Sequence, residues 1–261
     1  MPAGSADRWP EDYERGRPGW PREVGDVPGL PRAANVLELG AGTGKLTRLL
    51  VSRFAQVIAV EPAEAMRRLL VALCPEAEAL AGTAQEIPLA DASVDAVFAA
   101  EAFHWFHDER SLTEIARVLR PRGALVLMWN LPAGPTEPSI AAVEELLSDR
   151  GPKPDEVSSI PLDLDGPQYT SGTWRLAFED SPFEPLQEVR LPHVQTLDRD
   201  GLVAFFASMG WLADLPDTAR LSLLGEVRSL LTAAEYRRPW ETHVHWTRLV
   251  AGFPEHPVYP H

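Results

Sequence analysis

The sequence predicts an α/β protein whose sheet is largely parallel and wrapped by helices, and three observations carry that prediction. Short apolar runs of strand length alternate with longer segments of helical period through the first half of the chain. The first of these runs ends in three alternate glycines, Gly40, Gly42 and Gly44, a tight turn that opens a helix. The second run, Val57-Ile58-Ala59-Val60, is closed by a carboxylate, Glu61. Strand, helix and strand repeated in this way imply parallel pairing through right-handed crossovers. Ligands of such sheets bind beyond the carboxyl ends of the strands, where Gly40, Glu61, Thr83 and Glu101 all fall.

Residues 1–34 read as a proline-rich arm with one helical turn around 11–15. Strands are expected at about 35–39, 56–60, 77–81, 94–100 and 123–130, with helices at about 43–54, 62–73 and 108–119 between them. Pro121 and Gly123 stop the third of these helices before the fifth strand begins. Beyond Asn130 the alternation ends. Residues 137–150 are expected to form a helix because Ile140, Val143, Leu146 and Leu147 share a face. Residues 151–182, rich in Pro, Gly, Ser and Asp, read as a loop-dominated insertion. A strand at 187–196, helices near 198–209 and 216–234, and a last strand near 241–250 complete the chain, with a frayed tail at 256–261.

The glycine turn carries the first chemical inference. Without Cβ atoms its three glycines can take positive φ and let a ligand touch the backbone. Glu61, seventeen residues after Gly44, can accept both hydroxyls of a ribose, which points to a nucleoside. A dinucleotide fingerprint would need glycine at position 45, where Lys45 stands, and a phosphate loop would need Ser or Thr where Leu46 stands. Instead an acidic residue, Glu38, lies inside the strand end. That arrangement suits a cofactor carrying an ammonium and a sulfonium rather than phosphates.

With Glu38-Leu39-Gly40-Ala41-Gly42-Thr43-Gly44 the chain resembles the class I S-adenosylmethionine-dependent methyltransferases. Further matches follow in family order: Leu80-Ala81-Gly82-Thr83-Ala84-Gln85-Glu86-Ile87-Pro88-Leu89, then Asp91-Ala92-Ser93-Val94-Asp95, then Leu119-Arg120-Pro121-Arg122-Gly123 between a helix and a strand. A second set is similar to the trans-aconitate-methyltransferase-like branch of small-molecule methyltransferases. It comprises Tyr13-x-x-x-Arg17-Pro18-Gly19-Trp20-Pro21, Glu101-Ala102-Phe103-His104-Trp105-Phe106 and Trp240-Glu241-Thr242-x-Val244-x-Trp246.

The resemblance implies a Rossmann-like fold: a mixed seven-stranded sheet flanked by helices, with a helical cap. It implies one methyltransferase domain over 1–261, formed by the arm (1–34), a cofactor-binding half (35–131), and cap segments with the last strands (132–261). It implies S-adenosyl-L-methionine over Gly40, Gly42 and Gly44, its ribose on Glu61 and its adenine near Thr83, Ala84 and Gln85. Arg17, Glu38, Pro62, Met66 and Glu101 complete the expected cofactor-binding set. A small-molecule acceptor would enter from the cap, within the biosynthesis of a bacterial metabolite. The alternative is a protein of the same fold that binds the cofactor without methylating, as a cyclase or a ligand-binding protein.

Other residues keep two readings at this stage. Tyr13 and Arg17 lie on one face of a helix, so Arg17 either clamps a carboxylate bidentately or packs the arm. Phe103, Trp105 and Phe106 are either core or an aromatic wall near the sulfonium. His104 is the candidate catalytic base, needed only if the acceptor's nucleophile must lose a proton. The pairs His104–His107 and His243–His245 lack a third ligand, so no metal is expected. The formal net charge of −14 argues against a phosphate backbone as partner. One cysteine, Cys74, allows no intrachain disulfide and suits a reducing compartment. No run reaches the length of a membrane span and 1–26 has no signal-peptide core, so a cytoplasmic protein without a membrane partner is expected.

Overall fold

The computed structural model describes residues 10–151, 169 and 171–251. Its helices are α1 (Pro10–Gly16), α2 (Lys45–Arg53), α3 (Glu64–Leu73), α4 (Glu109–Val118), α5 (Pro138–Arg150), α6 (Arg199–Ala207), α7 (Gly210–Ala213) and α8 (Asp217–Leu230). Its strands are β1 (Asn35–Leu39), β2 (Gln56–Val60), β3 (Glu78–Leu80), β4 (Val94–Ala100), β5 (Leu119–Pro132), β6 (Gln187–Asp198) and β7 (Glu235–Arg248). They form one mixed sheet in the order β3-β2-β1-β4-β5-β7-β6. β1 pairs in parallel with both β2 and β4, and β4 pairs in parallel with β5. The chain winds outward from β1 to β3, then returns to the other side of β1. That reversal opens a crevice beyond the carboxyl ends of β1 and β4, the usual ligand site of a doubly wound sheet.

Residue contacts gather the chain into two compact units. Among the described residues, one unit comprises 20–130, 169, 171–191 and 242–251. Its core packs Val36, Leu46, Leu50, Phe98, Val126 and Val244, all at most 1% exposed. β1 is buried from Val36 to Leu39 without alternation, as expected for a parallel strand covered on both faces. The other unit comprises 10–19, 131–151 and 192–241, and its core joins Val143, Leu202, Phe205, Phe206, Leu212 and Val227. Ile140, Val143 and Leu147 of α5 are buried there with Leu146 packed against them, so the face expected from the sequence is the one used.

Most expected elements appear within two residues of their positions. Three boundaries differ by more: the starts of the fifth and last strands, and the end of the helix expected over 216–234. The fifth strand was expected from 123 but β5 begins at Leu119, because Leu119 pairs with Val94 before the register shifts and resumes at Ala96–Ala124. The Pro121–Gly123 stretch therefore forms an irregularity inside the strand, with Arg122 at φ 64°, instead of a break before it. The last strand was expected from 241 but β7 begins at Glu235. Its first residues alternate correctly, with Tyr236, Arg238 and Trp240 buried. An arginine at an inward position hid that period. The helix before it ends at Leu230, and α7 occupies a stretch read as a connection. Residues 1–9 of the arm, 152–168 of the insertion and the 256–261 tail lie outside the described residues; a 3-10 turn spans Thr173–Phe178.

Candidate functional site

The site is built where β1 and β2 end. Gly40, Gly42 and Gly44 sit at φ 68°, 56° and 85°, a conformation that L side chains rarely adopt. The N–H groups of Gly40 and Ala41 donate to the Val60 carbonyl at 2.9 and 3.2 Å, and Gly44 N–H donates to the Ala41 carbonyl at 2.9 Å. A Cβ on Gly40 would stand 2.7 Å from the Ala102 Cβ, so the loop after β4 lies directly against the turn.

Glu61 joins the pieces. Its Oε2 accepts from Gly42 N–H and its Oε1 from Ala63 N–H, each at 2.8 Å. One carboxylate thus bridges the glycine turn and the start of α3. Burial raises its pKa above the ordinary value, while these two bonds act to lower it. Glu38, 2% exposed, accepts from Thr47 Oγ1 at 2.6 Å. Burial pushes its carboxyl up to about 8 despite the Thr47 bond, and Glu61 nearby adds to the rise. Met66 of α3 is buried, and Pro62, which follows Glu61 in the chain, is exposed.

The remaining expected residues divide by neighbourhood. Ala84 is buried and Thr83 pairs with Glu86, while Gln85 Nε2 donates to Asp108 Oδ2 at 2.9 Å. Asp108 also accepts from Ser111 N–H as the N-cap of α4, so one side chain ties the Gln85 loop to that helix. An open hollow of about 570 Å³ lined by Gln85, Glu86, Glu109, Arg110, Thr113 and Glu114 shares only Gln85 with the expected site. Glu101 holds φ 50°, and its Oε1 accepts from Asn130 N–H at 2.6 Å, fixing the end of β4 to that of β5. Arg17 belongs to the other unit. There its Nε donates to Ser208 Oγ at 2.8 Å and its Nη2 to the Ser208 carbonyl at 3.2 Å.

His104 follows β4. Trp129 Nε1–H donates to its Nδ1 at 3.3 Å, and since an indole can only donate, the neutral ring carries its hydrogen on Nε2. Burial lowers its pKa to about 4. Phe103 and Phe106 pack edge to face at 5.5 Å and are buried, so half of that aromatic run is core. Cys74 is buried at the end of α3, and burial raises its thiol pKa. No group of three or more His, Cys, Asp or Glu among the described residues is arranged to hold a metal ion.

One buried cluster was not read from the sequence. Tyr169 Oη lies 2.7 Å from His243 Nδ1 and 2.8 Å from His245 Nε2. A hydroxyl donates once, so at least one of these rings donates to it and the two facing nitrogens take complementary roles. Trp129 and Trp174 flank the tyrosine at 4.8 and 6.1 Å between ring centroids. Burial lowers the His245 pKa to about 4. The alternation His243-Val244-His245 placed both rings on one side of a strand. Their partner, 74 residues earlier in the stretch read from the sequence as a loop-dominated insertion, left no periodic signal.

Comparison with known proteins agrees with this geometry. A methyltransferase-domain model matches residues 37–127, from within the strand that leads into the glycine turn to within β5. An uncharacterized methyltransferase of Mycobacterium tuberculosis is 40% identical over 220 residues, 84% of this chain and 82% of the relative. A methyltransferase-like protein of Schizosaccharomyces pombe is 34% identical over 221 residues, 83% of this chain and 81% of its own. A solved structure from Anaeromyxobacter dehalogenans, named for a type II methyltransferase, aligns with a TM-score of 0.65 at 23% identity, covering 90% of this chain and 99% of that one. The glycine turn, the carboxylate that bridges it and the sevenfold sheet order have the same meaning as these likenesses: the chain belongs to the class I S-adenosylmethionine-dependent methyltransferase family.

Proposed function

We propose that the protein transfers a methyl group from S-adenosylmethionine to a small-molecule acceptor, within the trans-aconitate-methyltransferase-like branch and in the cytoplasm. The observation that carries this reading is Glu61. A carboxylate offers about four acceptor positions, and the N–H groups of Gly42 and Ala63 use two of them. Two remain for the paired hydroxyls of a ribose. Glu38 supports the same ligand. Its buried carboxyl has a neutral hydroxyl as partner, and an ammonium brought beside it would favour the ionised form.

In this reading Gly40, Gly42 and Gly44 receive the methionine part, Pro62 and Met66 flank the nucleoside, and Thr83, Ala84 and Gln85 meet the adenine. Arg17 binds the methionine carboxylate and Glu101 shapes the reacting end. When bound, S-adenosylmethionine supplies a methyl group on a sulfonium. The chain's task is then to hold donor and acceptor aligned, which alone can lower a barrier by several kcal/mol. His104 offers an N–H at Nε2 in the tautomer that Trp129 selects, so it acts as a donor that orients the acceptor; serving as a base would first require a change of tautomer. The net charge of −14 supports a small acceptor over a nucleic acid. The single cysteine supports a reducing compartment, and no helix among the described residues is long and apolar enough to cross a membrane.

Calorimetric titration with S-adenosylmethionine, S-adenosylhomocysteine and NAD tests the donor. Both methionine nucleosides should bind and NAD should not. Glu61→Ala removes two charge-assisted hydrogen bonds, each worth roughly 1.5–3 kcal/mol, so affinity should fall at least about a hundredfold. Wild-type affinity in that variant would refute the ribose assignment.

A further inference from the structure

We infer that Arg238 and Arg17 together form a carboxylate-binding site in the unit built on α1, α5, α6 and the first residues of β7. The observations lie within that unit. Arg238 occupies an inward position of β7 with its side chain 7% exposed. Its Cζ stands 4.2 Å from the Phe205 ring centroid and 5.0 Å from that of Trp240. The Arg17 guanidinium lies over the same Phe205 ring at 5.3 Å, held by its two bonds to Ser208. Two cations thus share one aromatic platform.

Their compensation is incomplete. Glu144 Oε1 is 3.5 Å from Arg238 Nη2, a long contact. Arg238 Nη1 is buried and has no hydrogen-bond partner. Leaving a charged donor buried and unmatched is costly, more so than for a neutral group. Burial, with Arg17 opposing its charge and Glu144 assisting, lowers the Arg238 pKa to about 10, so the group stays charged at neutral pH.

The geometry selects the ligand. A guanidinium fork matches the two oxygens of a carboxylate in its own plane. Two guanidiniums over one ring draw an anion to that place. Phe205 and Trp240 offer apolar faces beside that charge. The carboxylate has two possible sources under the methyl-transfer reading, on which their identity rests: the methionine part of the donor, or the acceptor itself.

The test uses the full chain and Arg238→Met, which keeps the volume and removes the fork. Binding of S-adenosylhomocysteine is compared with that of 5′-methylthioadenosine, which lacks the amino-acid carboxylate. Melting shifts with benzoate and glutarate probe the site without any nucleoside. If the source is the donor, the variant should bind S-adenosylhomocysteine about tenfold or more weakly, with 5′-methylthioadenosine unchanged. If the source is the acceptor, both nucleosides should bind as in wild type while the carboxylate-induced melting shift disappears. Equal loss of both nucleosides, or unchanged behaviour towards all four compounds, overturns the inference. Arg238→Lys keeps the charge without the fork and should recover only part of the response; it also serves if the methionine variant fails to fold. A wild-type protein that responds to carboxylates but binds neither nucleoside would sink the donor assignment and leave this site standing.

Discussion

At the scale of single residues, Glu38 makes a prediction with a definite sign. Its carboxyl rises from the ordinary 4.5 to about 8 because burial disfavours the charged form. A carboxyl raised in the folded state contributes stability that is fully present below about pH 4.5 and is lost as pH rises towards 8. Glu38→Gln keeps the shape and the acceptor for Thr47 but cannot ionise. The variant should therefore gain on wild type between pH 5 and pH 8, by on the order of a few kcal/mol. Thermal unfolding of both proteins at the two pH values measures this, and an equal gap at both would show that the carboxylate is not desolvated. The comparison with wild type matters because His104 and His245, both lowered by burial, act the other way: their contribution is lost as pH falls from about 6.5 to about 4. Saturating S-adenosylmethionine should narrow the Glu38 difference. Glu38, Glu61 and the three glycines were legible because each sits at a strand end fixed by a short apolar run. Tyr169 was not, since nothing local marks its partners.

At the scale of elements, the joint between α1 and α6 rests on one glycine. A Cβ on Gly16 would fall 2.1 Å from the Phe205 nitrogen and 2.5 Å from the Ala204 carbonyl carbon. Backbone atoms cannot rotate aside, so Gly16→Ala must push the helices apart. A loss of roughly 1–3 kcal/mol is expected, seen as a lower melting temperature in the full chain. Arg15 with Asp198 ties α1 to the start of α6, an exposed pair that contributes little, and Arg220 with Asp12 ties α1 to α8. An unchanged melting temperature would mean that α1 does not dock. The sequence offered a helical turn near 11–15 with Tyr13 and Arg17 on one face, and left open whether Arg17 clamps a carboxylate or packs the arm. The same limit applies to β7, where Arg238 occupies a position that binary patterning reserves for an apolar residue.

At the scale of the whole molecule, charge decides what the protein avoids. A net charge of −14 on 261 residues repels a polyanion unless basic residues cluster, because nucleic-acid affinity rests on phosphate contacts by Lys and Arg. A labelled DNA or RNA oligonucleotide should show no binding in an anisotropy titration even at low salt. Salt-sensitive binding would reopen the acceptor class. The two compact units carry separate cores, one around the glycine turn and one of α5, α6 and α8 side chains, among the described residues.

By itself the sequence determined the winding of the sheet, the glycine turn and the carboxylates beside it. Those features depend on local periodicity and on residues close in the chain, and both survive as pattern. Only the tertiary structure decided that Glu61 bridges Gly42 and Ala63, that Trp129 sets the His104 tautomer, and that Arg17 and Arg238 share the ring of Phe205. Such pairs lie two to more than two hundred residues apart, and their chemistry comes from burial and hydrogen-bond geometry. Neither quantity has a period that a linear sequence can display.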